Sequence, residues 1–153
     1  MRVILPSVAD TDRLGAALAA TRPRPAVVAL SGPLGAGKSS LARAMLRAMG
    51  VTGAVRSPTY TLVERYALPD GEALHLDLYR IGAPEELDYL GLDDAAQAQL
   101  WLIEWPERGL GALPPLDLRI DLEMEDGGRV AELVSTSVAG SDWLVRLAAS
   151  TIS

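Results

Sequence analysis

Cysteine and asparagine are absent from this chain, lysine and histidine occur once each, and no apolar run approaches bilayer-spanning length. Without cysteine there is no disulfide and no thiolate metal site. A single histidine, His75, is too few for a histidine-based zinc centre. The N-terminal stretch holds one arginine and a brief apolar segment, Val3 to Leu5, too short for the core of a secretory signal. A cytoplasmic protein with no membrane association is the expectation. Positive charge is also scarce: 14 basic against 20 acidic residues give a net charge of −6. The chain as a whole should therefore repel polyanions such as nucleic acid, leaving room only for a local basic patch.

What is present suits one domain spanning 1–153. At 153 residues and 49% apolar composition, the chain can bury a sizeable core. Arg2 to Leu5 reads as a short strand. Asp10 or Thr11 is placed to cap a helix running to about Thr21, with Leu14, Ala17 and Leu18 inward. Arg22-Pro23-Arg24-Pro25 stops it. Ala26 to Leu30 is continuously apolar, the pattern of a strand buried on both faces of a parallel sheet. A helix from about Lys38 to Met49 places Leu41, Ala42, Met45 and Leu46 on one face, and Gly50 ends it. Thr61 to Leu68 and Ala73 to Arg80 read as strands joined by a turn at Pro69-Asp70-Gly71. Pro84 to Leu90 should be helical. Leu100 to Ile103 is another fully apolar run. Leu116 to Met124 alternates, turns at Asp126-Gly127-Gly128 and returns over Arg129 to Val134 as an antiparallel hairpin. Ser141 is expected to cap a last helix carrying Trp143, Leu144 and Leu147. The sum is an α/β fold of three layers, with a mixed, centrally parallel sheet extended by antiparallel hairpins.

Between the first buried strand and the helix after it lies Gly32-Pro33-Leu34-Gly35-Ala36-Gly37-Lys38-Ser39, an ungapped G-x-x-x-x-G-K-[ST] loop. Triphosphate oxygens need many donors in a small concave space. Backbone N–H groups supply them if the chain curls tightly, and Gly35, Ala36 and Gly37 permit that. The helix start adds its positive dipole end. Lys38, the chain's only lysine, reaches the β- and γ-phosphates, and the Ser39 hydroxyl is placed to ligate Mg²⁺. The expected nucleotide-binding stretch is Gly32 through Ser40. This loop makes the fold a P-loop NTPase type.

Such enzymes also need a carboxylate at the end of a neighbouring buried strand. Leu100-Trp101-Leu102-Ile103-Glu104 is an apolar run ending in an acid, so Glu104 is assigned as the metal-side carboxylate. Leu74-His75-Leu76-Asp77-Leu78 alternates instead. Asp77 shares its face with His75 and Tyr79, and could polarise an attacking water, approach the metal, or simply face solvent. His75 and the tryptophans Trp101 and Trp105 read as packing residues. Hydroxyls in Arg56-Ser57-Pro58-Thr59-Tyr60-Thr61 could sense a γ-phosphate as a switch loop does, or form an ordinary Ser-Pro turn.

Guanine-specific P-loop GTPases read the base with Asn-Lys-x-Asp. A chain with no asparagine and no second lysine lacks it, so ATP is the expected nucleotide. Two rivals to an ATPase remain. One is a small P-loop kinase acting on a small-molecule acceptor, with Asp77 as base. The other is a nucleotide-gated binding module with negligible turnover.

Four segments taken together resemble the TsaE family of bacterial tRNA threonylcarbamoyladenosine biosynthesis. They are Gly35-Ala36-Gly37-Lys38-Ser39-Ser40-Leu41, Ser57-Pro58-Thr59-Tyr60-Thr61-Leu62-Val63, His75-Leu76-Asp77-Leu78-Tyr79-Arg80 and Ile103-Glu104-Trp105-Pro106-Glu107. The P-loop is generic; the other three together are specific. The resemblance implies an ATPase that joins the TsaD–TsaB pair and resets that complex between turnovers, with tRNA held mostly by the partners. It further implies that Ser39 and Glu104 hold Mg²⁺, that Lys38 holds the phosphates, that Thr59 belongs to a switch-like loop, and that Asp77 and Trp105 support hydrolysis. Arg43, Arg47, Arg56 and Arg80 could contact tRNA or a partner, or lie on solvated faces.

Overall fold

The computed structural model describes residues 1–150, so residues 151–153 of the expected domain lie outside the described residues. Its elements run β1 (Arg2–Leu5), α1 (Val8–Thr21), β2 (Ala26–Ser31), α2 (Lys38–Ala48), β3 (Val63–Leu68), β4 (Gly71–Asp77), β5 (Leu100–Glu104), β6 (Leu118–Glu125), β7 (Gly128–Ser135) and α3 (Val138–Ala149). Short 3₁₀ turns occupy Pro84–Leu90, Ala95–Gln97 and Pro106–Gly109.

The strands form one seven-stranded sheet in the order β1-β7-β6-β2-β5-β4-β3. β6, β2, β5 and β4 are mutually parallel, as the unbroken apolar runs of β2 and β5 require. The β3–β4 and β6–β7 hairpins extend this centre at both ends, and β1 closes one edge against β7.

All three α-helices lie against one face. Leu14 and Leu18 of α1, Leu41 and Met45 of α2, and Trp143 and Leu147 of α3 join Val28, Leu30 and Leu102 in one buried cluster. Each such side chain contributes about 1.5–3 kcal/mol by leaving water. The opposite face buries Val27, Leu74, Leu76 and Ile103. Its covering layer holds the 3₁₀ turn Pro84–Leu90, whose Leu87 packs there, instead of an α-helix.

Several boundaries differ from expectation, each for a local reason. α1 starts at Val8 because Ser7 takes the cap: the Asp10 carboxylate accepts hydrogen bonds from Ser7 N–H (2.9 Å) and Ser7 Oγ (2.8 Å). α3 is capped by Ser137, not Ser141. Gly140 N–H donates to Ser137 Oγ (2.9 Å), which donates to Asp117 Oδ1 (2.7 Å). The other oxygen of Asp117 accepts from Val27 N–H (2.9 Å), tying α3 to the start of β2. β3 begins only at Val63, since Leu62 takes a positive φ of 70° that breaks the strand. β4 ends at Asp77, not Arg80. It is buried from Ala73 onward, so its alternating sequence does not mark a solvent-facing strand.

Candidate functional site

The loop between β2 and α2 curls where the glycines allow. Gly37 precedes α2 with φ 102°, a conformation a Cβ would strain. Gly32 packs so close to the Leu122 carbonyl that a Cβ there would overlap it. The Ala36 methyl is fully buried in the core, and its N–H donates to the Pro33 carbonyl (3.1 Å). Lys38 opens α2 and is almost fully buried. Its ammonium donates to the Gly32 carbonyl (2.5 Å) and lies 3.9 Å from the centroid of the Trp105 ring. Burial pulls the Lys38 pKa below the ordinary lysine range, against the opposing pull of Glu104, Asp77 and Glu107.

The parallel register sets the acids. Leu30 pairs with Glu104 and Asp77 pairs with Glu104, so the ends of β2, β5 and β4 lie in line. This is the carboxyl end of the parallel strands, where open α/β sheets bind ligands. Ser39 Oγ donates to Glu104 Oε2 (3.0 Å), bringing together the two residues expected at the metal. His75 Nε2 meets the same oxygen at 2.6 Å. Asp77 is also buried, with Oδ1 accepting from Tyr79 N–H (2.9 Å). Burial raises its pKa and Glu104 adds to the rise, while the Tyr79 N–H, His75 and Lys38 oppose it.

Thr59 reaches this group through a hydroxyl chain: its Oγ1 is 2.8 Å from Ser57 Oγ, which is 3.5 Å from Ser39 Oγ. Trp105 follows Glu104 directly, and its left-handed backbone (φ 56°) folds the ring back over Lys38. Tyr79 packs on that ring with centroids 4.9 Å apart. Outside the loop, Arg80 lies over the Tyr60 ring at 4.6 Å and Arg43 donates to Ser40 Oγ at 3.4 Å.

A cavity of about 480 Å³ unites these groups; Lys38, Ser39, Ser40, Thr59, Asp77, Glu104 and Trp105 all line it. So do residues that sequence reasoning did not single out for the site: Ser7, Val8 and Thr11 at the start of α1, and Gly127, Gly128 and Arg129 in the β6–β7 turn. Arg129 donates to the Gly35 carbonyl (3.1 Å), clasping the phosphate loop from the far end of the chain. No sequence spacing foretells that hairpin's position. His75, which reads as a packing residue in the sequence, is fully buried, and its place two residues before the strand-terminal Asp77 brings its Nε2 to Glu104. The oxygens of Ser39 and Glu104 form a hard donor pair suited to Mg²⁺, whose ligands are hydroxyl, carboxylate, phosphate and water.

A family model described as threonylcarbamoyl adenosine biosynthesis protein TsaE matches residues 5–131, which contain all of these lining residues. The chain is 43% identical over 117 residues to the tRNA threonylcarbamoyladenosine biosynthesis protein TsaE of Haemophilus influenzae, covering 76% of this chain and 74% of that one. The protein of the same name from Aquifex aeolicus is 36% identical over 126 residues, with coverage of 81% and 87%. The Rickettsia bellii protein of that name also shares 36% over 126 residues, 82% and 88%. Among solved structures, Bacillus subtilis YdiB superimposes with a TM-score of 0.77 and 25% identity, over 97% of this chain and 93% of that one.

Proposed function

Because this chain belongs to the TsaE family, whose named members serve threonylcarbamoyladenosine biosynthesis on tRNA, we propose that it is the Mg²⁺-dependent ATPase of that pathway. In this reading it joins TsaD and TsaB, and its ATP hydrolysis resets their complex between turnovers in the cytoplasm. The observation that carries the chemistry is the Ser39 hydroxyl 3.0 Å from the Glu104 carboxylate, at the mouth of a P-loop and the carboxyl end of parallel strands.

The residues divide the work as follows. Backbone N–H groups of the loop through Ser40 and the start of α2 receive the phosphates. Lys38 exchanges the Gly32 carbonyl for β- and γ-phosphate oxygens, restoring to its ammonium the partners that burial denies it. Ser39 and Glu104 would hold Mg²⁺, which neutralises charge developing on the transferred phosphoryl group. Asp77, raised in pKa and facing the same cavity, orients the attacking water and accepts its hydrogen bond. Thr59, linked through Ser57 to Ser39, senses the γ-phosphate. Trp105 walls the Lys38 site against water. The start of α1 and the Gly127-Gly128-Arg129 turn line the rest of the cavity, where the nucleoside end has room.

The test is phosphate release with and without TsaD–TsaB. Wild type should turn over slowly alone and faster with the pair, and Lys38→Ala should release none in either setting. Phosphate release that Lys38→Ala leaves intact removes the loop from the chemistry. Release that the partners do not alter removes the coupling.

A further inference from the structure

His75 is the chain's only imidazole and is fully buried, yet its hydrogen bond goes to a site carboxylate rather than to the backbone. Its Nε2 lies 2.6 Å from Glu104 Oε2, and its Nδ1 has no partner among the described residues. An ionised carboxylate only accepts, so the Nε2–H of His75 is the donor in this pair. Glu104 Oε2 therefore receives two donors, from Ser39 and from His75, while Oε1 accepts none among the described residues.

The register explains why a histidine is needed. Asp77 pairs with Glu104, and His75 stands two residues back on the same face of β4, beside Leu102. From there a side chain must reach along that face of the sheet to β5. The imidazole spans that gap with a rigid ring whose far nitrogen donates. We propose that His75 is a positioning residue for the metal-side carboxylate: by holding Oε2 it fixes the rotamer of Glu104 beside Ser39 and leaves Oε1 without a competing donor from the described residues. This rests on the reading of Glu104 as the Mg²⁺ carboxylate and adds to it the group that orients the ligand. Partners of metal-ligating carboxylates typically contribute 10–100-fold in metal affinity.

The experiment is calorimetric titration of the full chain with a non-hydrolysable ATP analogue, in EDTA and in Mg²⁺; the ratio of the two Kd values measures what the metal adds. His75→Leu should cut that ratio about tenfold and leave the EDTA value within about twofold. His75→Gln, whose terminal amide nitrogen reaches the Nε2 position, should restore it. His75→Asn, whose shorter amide falls at the Nδ1 position, should not, and this polar pair keeps the test decisive if leucine disturbs folding. In a Glu104→Gln background, His75→Leu should add no further loss. A normal ratio in His75→Leu alongside a reduced one in Glu104→Gln overturns the positioning role alone. Equal ratios in the Gln and Asn variants, or additive losses in the double variant, overturn it too. A full Mg²⁺ effect in Glu104→Gln removes the metal reading itself.

Discussion

Burial raises the pKa of Asp77, so the native protein binds that proton more tightly than the unfolded chain does. The stability tied to this group is present at low pH and is lost as pH rises through the raised native value. Asp77→Asn keeps an oxygen for the Tyr79 N–H and removes the buried charge. The nucleotide-free variant should melt about 2–4 °C above wild type at pH 7–8, and the difference should vanish below the ordinary carboxylate range. Phosphate release by the same variant should fall by about 10²-fold or more. A residue that stabilises when removed yet silences turnover is the signature of a functional acid. At this scale much was legible. Lys38 and Ser39 follow from a contiguous loop whose geometry is local, and Glu104 from its place at the end of an apolar run. His75 and Arg129 were not, because their partners Glu104 and Gly35 lie 29 and 94 positions away in the chain, and neither was Ser7, which only the folded chain brings to the cavity.

Helix α1 crosses α2 closely at Gly15, where an added Cβ would overlap the Ala44 methyl and come within 3.0 Å of α2 backbone. Alanine there would gain about 1 kcal/mol of helix propensity. The crossing outweighs it: Gly15→Ala should destabilise by about 1–3 kcal/mol in chemical denaturation, and Ala44→Gly should recover part of that loss. Because α2 begins at Lys38, a displaced α1 should also weaken nucleotide binding, and the same titrations will show it. Element identity was readable from periodicity, and so was the glycine that stops α2, but the N-caps of α1 and α3 were not. Ser7 and Ser137 displace the expected caps because Asp10 and Asp117 lend them partners, and Asp117 is linked to Ser137 by tertiary contact across 20 positions. The turn Pro84–Leu90 also kept its helical reading while adopting 3₁₀ geometry, in a segment too short to profit from an α-helix.

Across the whole molecule, 20 acidic residues against 14 basic ones oppose an RNA backbone. The isolated protein should bind an anticodon stem-loop more weakly than about 0.1 mM in a filter-binding or anisotropy assay at physiological salt. Tight binding by the chain alone would contradict a division of labour in which the partners hold tRNA. Among the described residues no helix is long and apolar enough to cross a membrane. The parallel centre and its two hairpins were legible in the pattern of apolar runs. The order of strands was not, since β4 lies beside β5 across a 22-residue connection whose course no local signal records.

That order has a consequence for synthesis. The strand that carries the phosphate loop, β2, pairs only with β5 and β6, both of which lie later in the chain. A nascent polypeptide therefore presents the glycine loop and its lysine long before either flank exists to hold them. The hairpin that clasps Gly35 through Arg129 arrives later still. On the ribosome the cradle stays without its scaffold until β5, β6 and Arg129 have emerged, so competence to hold a triphosphate is acquired late.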